Sequence, residues 1–471
     1  AAHFDRVAVG PHDIVITKNL YDTQTFTTTV PVFSDTTTNV LLKANGRRIV
    51  VTVADRLSNQ PVEGATVTAG KASGASKADG KAEVIVPINA TSVNAAVTKD
   101  GYLATSLVLT RESAASVQLV KTGRMYFLSK QSGTVDVVST NLDGSDRKLV
   151  LKGTGNEDDR ATTLLASRDW RYLMLQTKRD TTREALYLID TQTLQPVRIT
   201  SGTSFVTAVG WSNHRFVYKE HQAHPAGYTD SLNWKLHSVK ASDKTIATLE
   251  KSESMPAQFG GTAYQYIDTP YILDGDTVVY ASYWQNTNYY SGIPAGHDSG
   301  IIAVQADGSS RRFIKTYPSA EISYIETKLY KPQEIHYRVF NANGDRRENI
   351  MTVNKKIEIV PPAQQKFDQA YPTFLISPDG KRAFWAEPRD GKNSLFVGDN
   401  NSGDPKQLAN LSEYTAYGWF TDEYTLLQKD GSELFITTPD ALKAGSPPLK
   451  ISDYHKPAQN FAGYGYGYGG Q

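Results

Sequence analysis

The sequence contains no cysteine, which excludes disulfide frameworks, thiolate-bound zinc, iron–sulfur clusters and thiol nucleophiles together. It also lacks an excess of charge, because 50 lysines and arginines stand against 49 aspartates and glutamates. No basic face is indicated, so nucleic acid is not an expected partner. No run reaches the roughly 18 apolar residues that cross a bilayer, so no membrane-spanning segment is predicted.

Long segments of helical period are absent as well. The 471 residues instead alternate strands rich in Tyr and Thr with turns of Gly, Asn, Asp and Pro. The predicted fold class is therefore all-β. Internal repeats decide which all-β architecture the chain adopts, and two different repeats are present.

The first repeat predicts small antiparallel sandwiches in residues 1–45 and 46–122. Residues 46–122, with "PVEGATVTAG", "ADGKAEVIVP" and "TKDGY", resemble the carboxypeptidase-regulatory-like (transthyretin-like) module. Residues 7–43, with "VITKNLYDTQTFTTTVPV", resemble the second half of a PEGA module, so residues 1–45 are interpreted as a partial unit. These resemblances imply bacterial extracytoplasmic spacer domains. The start at Ala1 rather than Met predicts a processed chain whose membrane anchor lies upstream.

The second repeat covers residues 123–471. Strands of one type begin near Met125, Arg171, Arg215, Thr277, Glu334, Arg382 and Tyr424. Each is followed by two more strands, and six of the seven are preceded by another. Four strands in roughly 40 to 50 residues is the period of a β-propeller blade. The prediction is a seven-bladed β-propeller with N-terminal β-sandwich domains.

The first blade has no room for an innermost strand, because the preceding domain ends close to Met125. Residues 460–469, which include Tyr464, Tyr466 and Tyr468, are predicted to supply that strand and close the ring. The alternative is a flexible Gly/Tyr tail.

Short turn motifs carry a second resemblance. "SPDG" at Ser377–Gly380, "LDGS" at Leu142–Ser145 and "ADGS" at Ala306–Ser309 resemble turns of TolB-like and WD40-like propellers. The resemblance implies the fold and carries no catalytic residue over to this chain.

Metal and catalytic motifs are each incomplete. Asn141, Asp143 and Asp146 have calcium-loop spacing, but the twelfth loop position is Lys152 rather than Glu, and a hairpin turn explains them. His221 and His224, with Glu220 adjacent, have H-x-x-H spacing and would need further ligands such as Asp230 or His297. No G-x-S-x-G elbow is present. Carboxylate pairs such as Glu387 with Asp390, or Glu220 with Asp230, leave a glycosidase open. No metal, cofactor or catalytic residue is therefore assigned.

The connections from the second to the third strand are longest in blades three and four, and long connections in compact folds are commonly functional. Since all blades have the same orientation, these two emerge side by side on one face. Aromatic groups with a polar handle suit a glycan or a protein partner. The alternative is that these aromatics only pack on each other. The predicted ligand-binding residues are His221, His224, Tyr228, Tyr283, Trp284, Tyr289, Tyr290, His297 and Asp298.

The expected function is non-catalytic binding of a glycan or protein at the bacterial cell surface or envelope, with membrane attachment only through an upstream anchor. Two alternatives remain open: a carbohydrate-active hydrolase or lyase, and a structural subunit of a surface layer or filament.

Overall fold

The computed structural model describes residues 3–33, 35–158, 160–222, 233–257, 260–273, 276–286, 296–331, 333–343, 345–362, 367, 372–400, 403–409, 413–430, 433–453, 456–457 and 459–460. These residues are almost all in strands or turns. The described part has one short α-helix, α1 (Pro439–Lys443), and one 3₁₀ turn at Ser319–Glu321. The all-β fold class is confirmed. The chain divides into two compact units, Ala1–Gly123 and Arg124–Gln471.

The first unit contains three sheets. Its strands are β1 (Gly10–Ile16), β2 (Gln24–Val30), β3 (Gly46–Asp55), β4 (Thr66–Ala69), β5 (Ala72–Ala75), β6 (Lys81–Pro87), β7 (Val93–Thr98), β8 (Thr105–Leu109) and β9 (Ala114–Leu119). β1 and β2 form a two-stranded antiparallel sheet. The other two sheets have the orders β6-β3-β9 and β5-β4-β7-β8.

The last two sheets form a β-sandwich because alternate residues of each face a common core. Val51 and Val53 of β3, Val67 of β4 and Val97 of β7 are fully buried in that core. Val84 of β6 lies in the same core. The predicted sandwich over 46–122 therefore has its own apolar interior. The described part of residues 1–45 forms the β1–β2 hairpin, and the partial sandwich expected there stays a prediction.

The second unit consists of consecutive antiparallel sheets, here called modules one to seven. Module one contains β10 (Arg124–Ser129), β11 (Asp136–Asn141) and β12 (Lys148–Leu151). Module two contains β13 (Thr163–Ala166), β14 (Tyr172–Thr177), β15 (Ala185–Asp190) and β16 (Pro196–Arg198). Module three contains β17 (Phe205–Trp211), β18 (Arg215–His221), β19 (Lys235–Lys240) and β20 (Ile246–Lys251).

Module four contains six strands, including a split inner strand. They are β21 (Ser254–Pro256), β22 (Thr262–Ile267), β23 (Tyr271–Leu273), β24 (Thr277–Asn286), β25 (Asp298–Gln305) and β26 (Arg312–Pro318). Both β22 and β23 pair with β24.

Modules five to seven each contain four strands. Module five contains β27 (Ile322–Lys331), β28 (Glu334–Asn341), β29 (Arg346–Val353) and β30 (Ile359–Val360). Module six contains β31 (Leu375–Ile376), β32 (Arg382–Arg389), β33 (Lys392–Asp399) and β34 (Lys406–Ala409). Module seven contains β35 (Tyr414–Trp419), β36 (Thr425–Lys429), β37 (Glu433–Thr437) and β38 (Leu449–Asp453). Two short strands follow, β39 (Lys456–Pro457) and β40 (Gln459–Asn460).

This arrangement is that of a β-propeller, in which strands of each module pair in chain order. The second strands β10, β14, β18, β24, β28, β32 and β36 begin within about one residue of the predicted starts, because each start follows a turn with strong local signals. The described residues form seven such sheets, and a closed ring of seven blades stays a prediction.

The end of the chain returns to the first two modules. β39 pairs with β10 in antiparallel fashion, and β40 pairs with β13 in parallel. Among the described residues, the inner neighbour of β10 is therefore Lys456–Pro457, and the closing strand expected at 460–469 stays a prediction. Of that predicted strand, residues 461–469 lie outside the described residues. A Cβ added at Gly144 in module one would lie 2.2 Å from the Ile451 carbonyl oxygen, so modules seven and one are in close contact.

Repeated glycine–tryptophan pairs join neighbouring inner strands. Trp211 at the end of β17 donates from Nε1 to the Leu165 carbonyl at 2.9 Å, and Trp419 at the end of β35 donates to the Leu375 carbonyl at 2.8 Å. A buried indole N–H needs an acceptor, and here the previous module supplies it. These bonds position module three on module two and module seven on module six.

Candidate functional site

The nine predicted binding residues lie at the ends of β18 and β24 or between these strands and the next ones, and the structure describes five of the nine. His224, Tyr228, Tyr289 and Tyr290 lie outside the described residues, as does Asp230. His221, Tyr283, Trp284, His297 and Asp298 are described.

The prediction that Tyr283 and Trp284 lie on an exposed connection is wrong. β24 extends to Asn286, and the two side chains are only 7% and 3% exposed. Because successive strand residues face opposite sides, the two rings separate. Tyr283 packs against Tyr266 with ring centroids 5.2 Å apart, whereas Trp284 contacts His297 at 4.8 Å. The alternative of aromatics that pack on one another therefore describes these two positions.

His297 and Asp298 begin the return strand of module four. The His297 carbonyl accepts the Ser319 amide, and the Asp298 side chain is exposed. Among the described residues, the ring contacts of His297 join it to Trp284 and not to His221. Tyr283, by contrast, is linked to His221 of module three by successive ring contacts through Tyr266 and Trp234.

His221 lies at the end of β18 in a row of rings that crosses module three. Phe205 of β17 is its direct cross-strand partner, and the two rings stack at 4.9 Å with an interplanar angle of 15°. On the other side, Trp234, the residue before β19, lies 4.1 Å from the imidazole. The three rings lie on one face because cross-strand neighbours share a face of the sheet.

A cation lies at each end of this row. The guanidinium of Arg183, from the connection between β14 and β15, lies 3.8 Å from the centroid of Phe205. The ammonium of Lys219, two residues before His221 on the same strand, lies 3.7 Å from the Trp234 ring. Arg183, Phe205, His221, Trp234 and Lys219 are called the aromatic row below. Cations are attracted to ring faces by the quadrupole, so this order is electrostatically favourable.

Lys219 is buried, with 7% of its surface exposed. Its Nζ donates to the Ile267 carbonyl in module four and also lies 4.9 Å from the Tyr266 ring. Burial lowers the pKa of Lys219 to about 8, and the nearby Asp268 carboxylate limits that decrease. The amine is therefore partly neutral at slightly alkaline pH, since burial disfavours its charged form.

Asp268 interrupts the inner strand of module four, between β22 and β23. Burial raises the pKa of this carboxyl, while Lys219 and the hydroxyl of Thr327, 3.3 Å away, act in the opposite direction. A carboxyl that retains its proton more readily than usual can act as a hydrogen-bond donor or a general acid.

His221 is neutral at physiological pH. Burial, together with the charges of Lys219 and Arg183, lowers its pKa to about 4. Its Nδ1 is buried and has no hydrogen-bond partner among the described residues, and the same is true of Trp234 Nε1. Buried polar atoms without partners are uncommon in native proteins and call for an explanation.

The residues that sequence reasoning missed in this row are Arg183, Phe205, Lys219 and Trp234. One sequence signal was available for Lys219. In "RFVYKEH" it directly follows three apolar or aromatic residues of a strand, all of which are buried, and a lysine in such a position can itself be buried. Arg183 and Phe205 carried no such signal, since their proximity depends on how modules two and three pack.

The other motifs are accounted for by local interactions. Asp146 forms ion pairs with Arg124 at 2.8 Å and Lys148 at 2.9 Å. The hydroxyl of Ser145 donates to Asp143 at 2.6 Å, and Asn141 donates to Ser145 at 3.0 Å. In the described part of the chain, no group of three or more His, Asp or Glu side chains is arranged to hold a metal ion.

Two of the carboxylates considered for glycoside hydrolysis have basic side chains as neighbours. Glu387 pairs with Arg389 at 3.0 Å, and Glu220 lies 3.8 Å from His237. No described helix is both long and apolar enough to cross a membrane.

Comparisons with known proteins give structural likenesses only. No protein-family model matches the chain, and no curated protein matches it in sequence. An oligogalacturonate lyase in complex with manganese is 14% identical, with a TM-score of 0.39 over 68% of this chain and 87% of that one. TolB from Acinetobacter baumannii is 12% identical, with a TM-score of 0.33 over 74% of each chain.

The β-propeller domain of the Trilobed protease from Pyrococcus furiosus is 12% identical, with a TM-score of 0.38 over 78% of this chain and 96% of that one. The structural neighbours are thus TolB-like and other propeller proteins, both enzymes and non-enzymes. Likeness at this level carries no argument about activity, and the chain is similar to these proteins in fold alone.

Proposed function

We propose that this chain is a non-catalytic binding protein of the bacterial cell surface or envelope, whose propeller holds a glycan beside the aromatic row. The observation that carries the proposal is the presence of two buried ring nitrogens, His221 Nδ1 and Trp234 Nε1, that lack hydrogen-bond partners among the described residues. A sugar hydroxyl both donates and accepts, so hydroxyls of a bound glycan would satisfy both groups whichever tautomer His221 adopts.

The position of the row supports binding. Its rings belong to strands or lie directly beside them, so the scaffold holds them rigidly, and cations at both ends restrict their movement. The row also lies where the long connection of module three begins, and such connections carry function disproportionately. Rigid aromatic groups with polar edges lose little entropy when a sugar binds.

The test is a glycan-array screen of the purified chain, followed by affinity measurement with the variants Trp234→Phe and His221→Phe. Each variant keeps a ring in the row and removes the nitrogen. A lost hydrogen bond to a buried group should weaken binding by about tenfold. The matched control is Trp284→Phe, which changes a buried ring outside the row and should leave affinity unchanged. Equal binding by all three variants and the parent chain would remove this site.

The second candidate function is that of a carbohydrate-active enzyme, and the observation that favours it is the buried carboxyl of Asp268. Its carboxyl has a raised pKa and lies near the charges of Lys219 and Glu326. A general acid with an elevated pKa is one requirement of glycoside cleavage. Release of oligosaccharides from a polysaccharide, abolished by Asp268→Asn with binding retained, would establish this activity. Absence of turnover on every glycan that the array identifies would exclude it for those ligands.

A further inference from the structure

We infer that the ligand group held by the aromatic row is an anion, the carboxylate or sulfate of an acidic glycan, and that the guanidinium of Arg183 recognises it. This inference rests on the proposed function and deepens it by naming the charge of the ligand.

The Arg183 side chain is held by an aromatic contact, and its guanidinium N–H groups have no acceptor among the described residues. Its guanidinium is partly buried and lies flat enough on Phe205 to be 3.8 Å from the ring centroid, yet no described residue accepts a hydrogen bond from it. Arg124, Arg171 and Arg311, by contrast, each pair with a carboxylate at 2.6 to 2.8 Å. A stacked guanidinium offers its N–H groups in a fixed fork that matches carboxylate and sulfate oxygens.

The surroundings of the row are positively charged. Lys219 lies on the same face as His221, and Arg183 approaches from module two. The closest acidic neighbour of His221 along the chain, Glu220, faces the other side of β18, where it lies near His237. Asp268 lies beside Lys219 in module four. Burial is the main cause of the lowered pKa of His221, and the charges of Lys219 and Arg183 add to it.

Binding of an anion should depend on pH through His221. The groups that face its imidazole are Lys219 from its own strand, Arg183 from module two, and the uncharged rings of Phe205 and Trp234. An anion beside the ring favours the imidazolium, so binding raises the pKa of His221. By linkage, affinity increases as pH falls toward about 4, the pKa of His221 without ligand, and the increase is absent in His221→Phe.

The experiment measures binding of the full chain to three polymers: polygalacturonate, dextran sulfate and neutral dextran. We expect the chain to bind one or both of the acidic polymers and not to bind neutral dextran. Binding of polygalacturonate indicates recognition of a carboxylate, and binding of dextran sulfate indicates recognition of a sulfate. Arg183→Gln should lose about tenfold in affinity, as expected for a charge-assisted hydrogen bond. Arg312→Gln removes the same charge from an exposed position on β26 and should bind as the parent does.

The outcomes are distinguishable. Equal losses in Arg183→Gln and Arg312→Gln would show non-specific attraction to the whole chain and overturn the inference. Binding of dextran that depends on Trp234 and not on Arg183 would overturn the inference and leave the proposed function intact. Failure to bind any of the three polymers or any arrayed glycan would overturn both. Unchanged melting temperatures of both variants serve as the folding control.

Discussion

Burial lowers the pKa of three histidines of the propeller, His221, His336 and His237, and for the first two the value is about 4. His336 on β28 is fully buried and stacks on Tyr330 at 3.9 Å, and its pKa is lowered to about 4 by burial and the charges of Lys331 and Lys328. His221 has a pKa of about 4 for the reasons given above. In the unfolded chain both imidazoles titrate near pH 6.5.

Stability should therefore fall as the solution is acidified from about pH 6.5 to pH 4. In that window the unfolded state binds protons that the folded state does not, so the free energy of unfolding decreases as pH decreases. The combined variant His221→Phe/His336→Phe should show a smaller loss of melting temperature across the window by calorimetry.

The control is His214→Gln, which replaces an exposed histidine of the same propeller. Carboxylates with lowered pKa values, such as Asp136, also lose stabilising effect from about pH 5 downward, and the raised pKa of Asp268 acts in the opposite direction. Because these carboxylates are the same in both variants, the comparison isolates the contribution of the two histidines. An identical acid response in the combined variant and in His214→Gln would contradict this account.

At the scale of an element, the turn between β13 and β14 departs from its counterpart in module six. In both turns a serine donates to an aspartate, Ser167 to Asp169 at 2.6 Å and Ser377 to Asp379 at 2.7 Å. The next residue is left-handed in both, with φ 73° at Gly380 and φ 58° at Trp170. A bulky residue rarely adopts this backbone, and the cost is about 1 kcal/mol or more.

Trp170 is held there by its contact with module seven. Its ring is 5% exposed and lies 5.3 Å from that of Phe420. In the described part of module one, the two-residue β39 is the strand inside β10. The indole of Trp170 thus joins modules two and seven directly.

Replacement of Trp170 by glycine should destabilise the propeller despite relieving the backbone. Loss of a buried tryptophan costs about 3 to 5 kcal/mol and relief of strain returns about 1 kcal/mol, so a net loss of about 2 to 4 kcal/mol is expected in denaturant unfolding. Gly380→Ala is the matched backbone control, because a Cβ there meets nothing closer than 3.9 Å. A stabilised Trp170→Gly variant would show that strain outweighs the contact.

At the scale of the whole molecule, the return of the chain to modules one and two links the two ends of the propeller. β39 supplies the only described pairing on the inner edge of β10, and β40 pairs with the inner strand of module two. An unpaired inner edge would leave backbone N–H and C=O groups without partners.

Truncation after Asp453, which removes β39 and β40, should therefore lower the melting temperature of the propeller, whereas truncation after Asn460 should have little effect. Calorimetry of the two shortened chains distinguishes them. If both truncations destabilise equally, the closing strand lies in residues 461–469, as the sequence pattern with its alternating tyrosines predicted.

The sequence by itself determined the all-β class, the sandwich strands and the starts of the second strands, because turn chemistry and period-two alternation are local properties of the chain. Tertiary structure alone decided that His221 joins Arg183, Phe205 and Trp234, and that Tyr283 and Trp284 are buried on opposite faces. Strand length, register and the packing of neighbouring modules set those contacts, and they arise between residues far apart in the sequence.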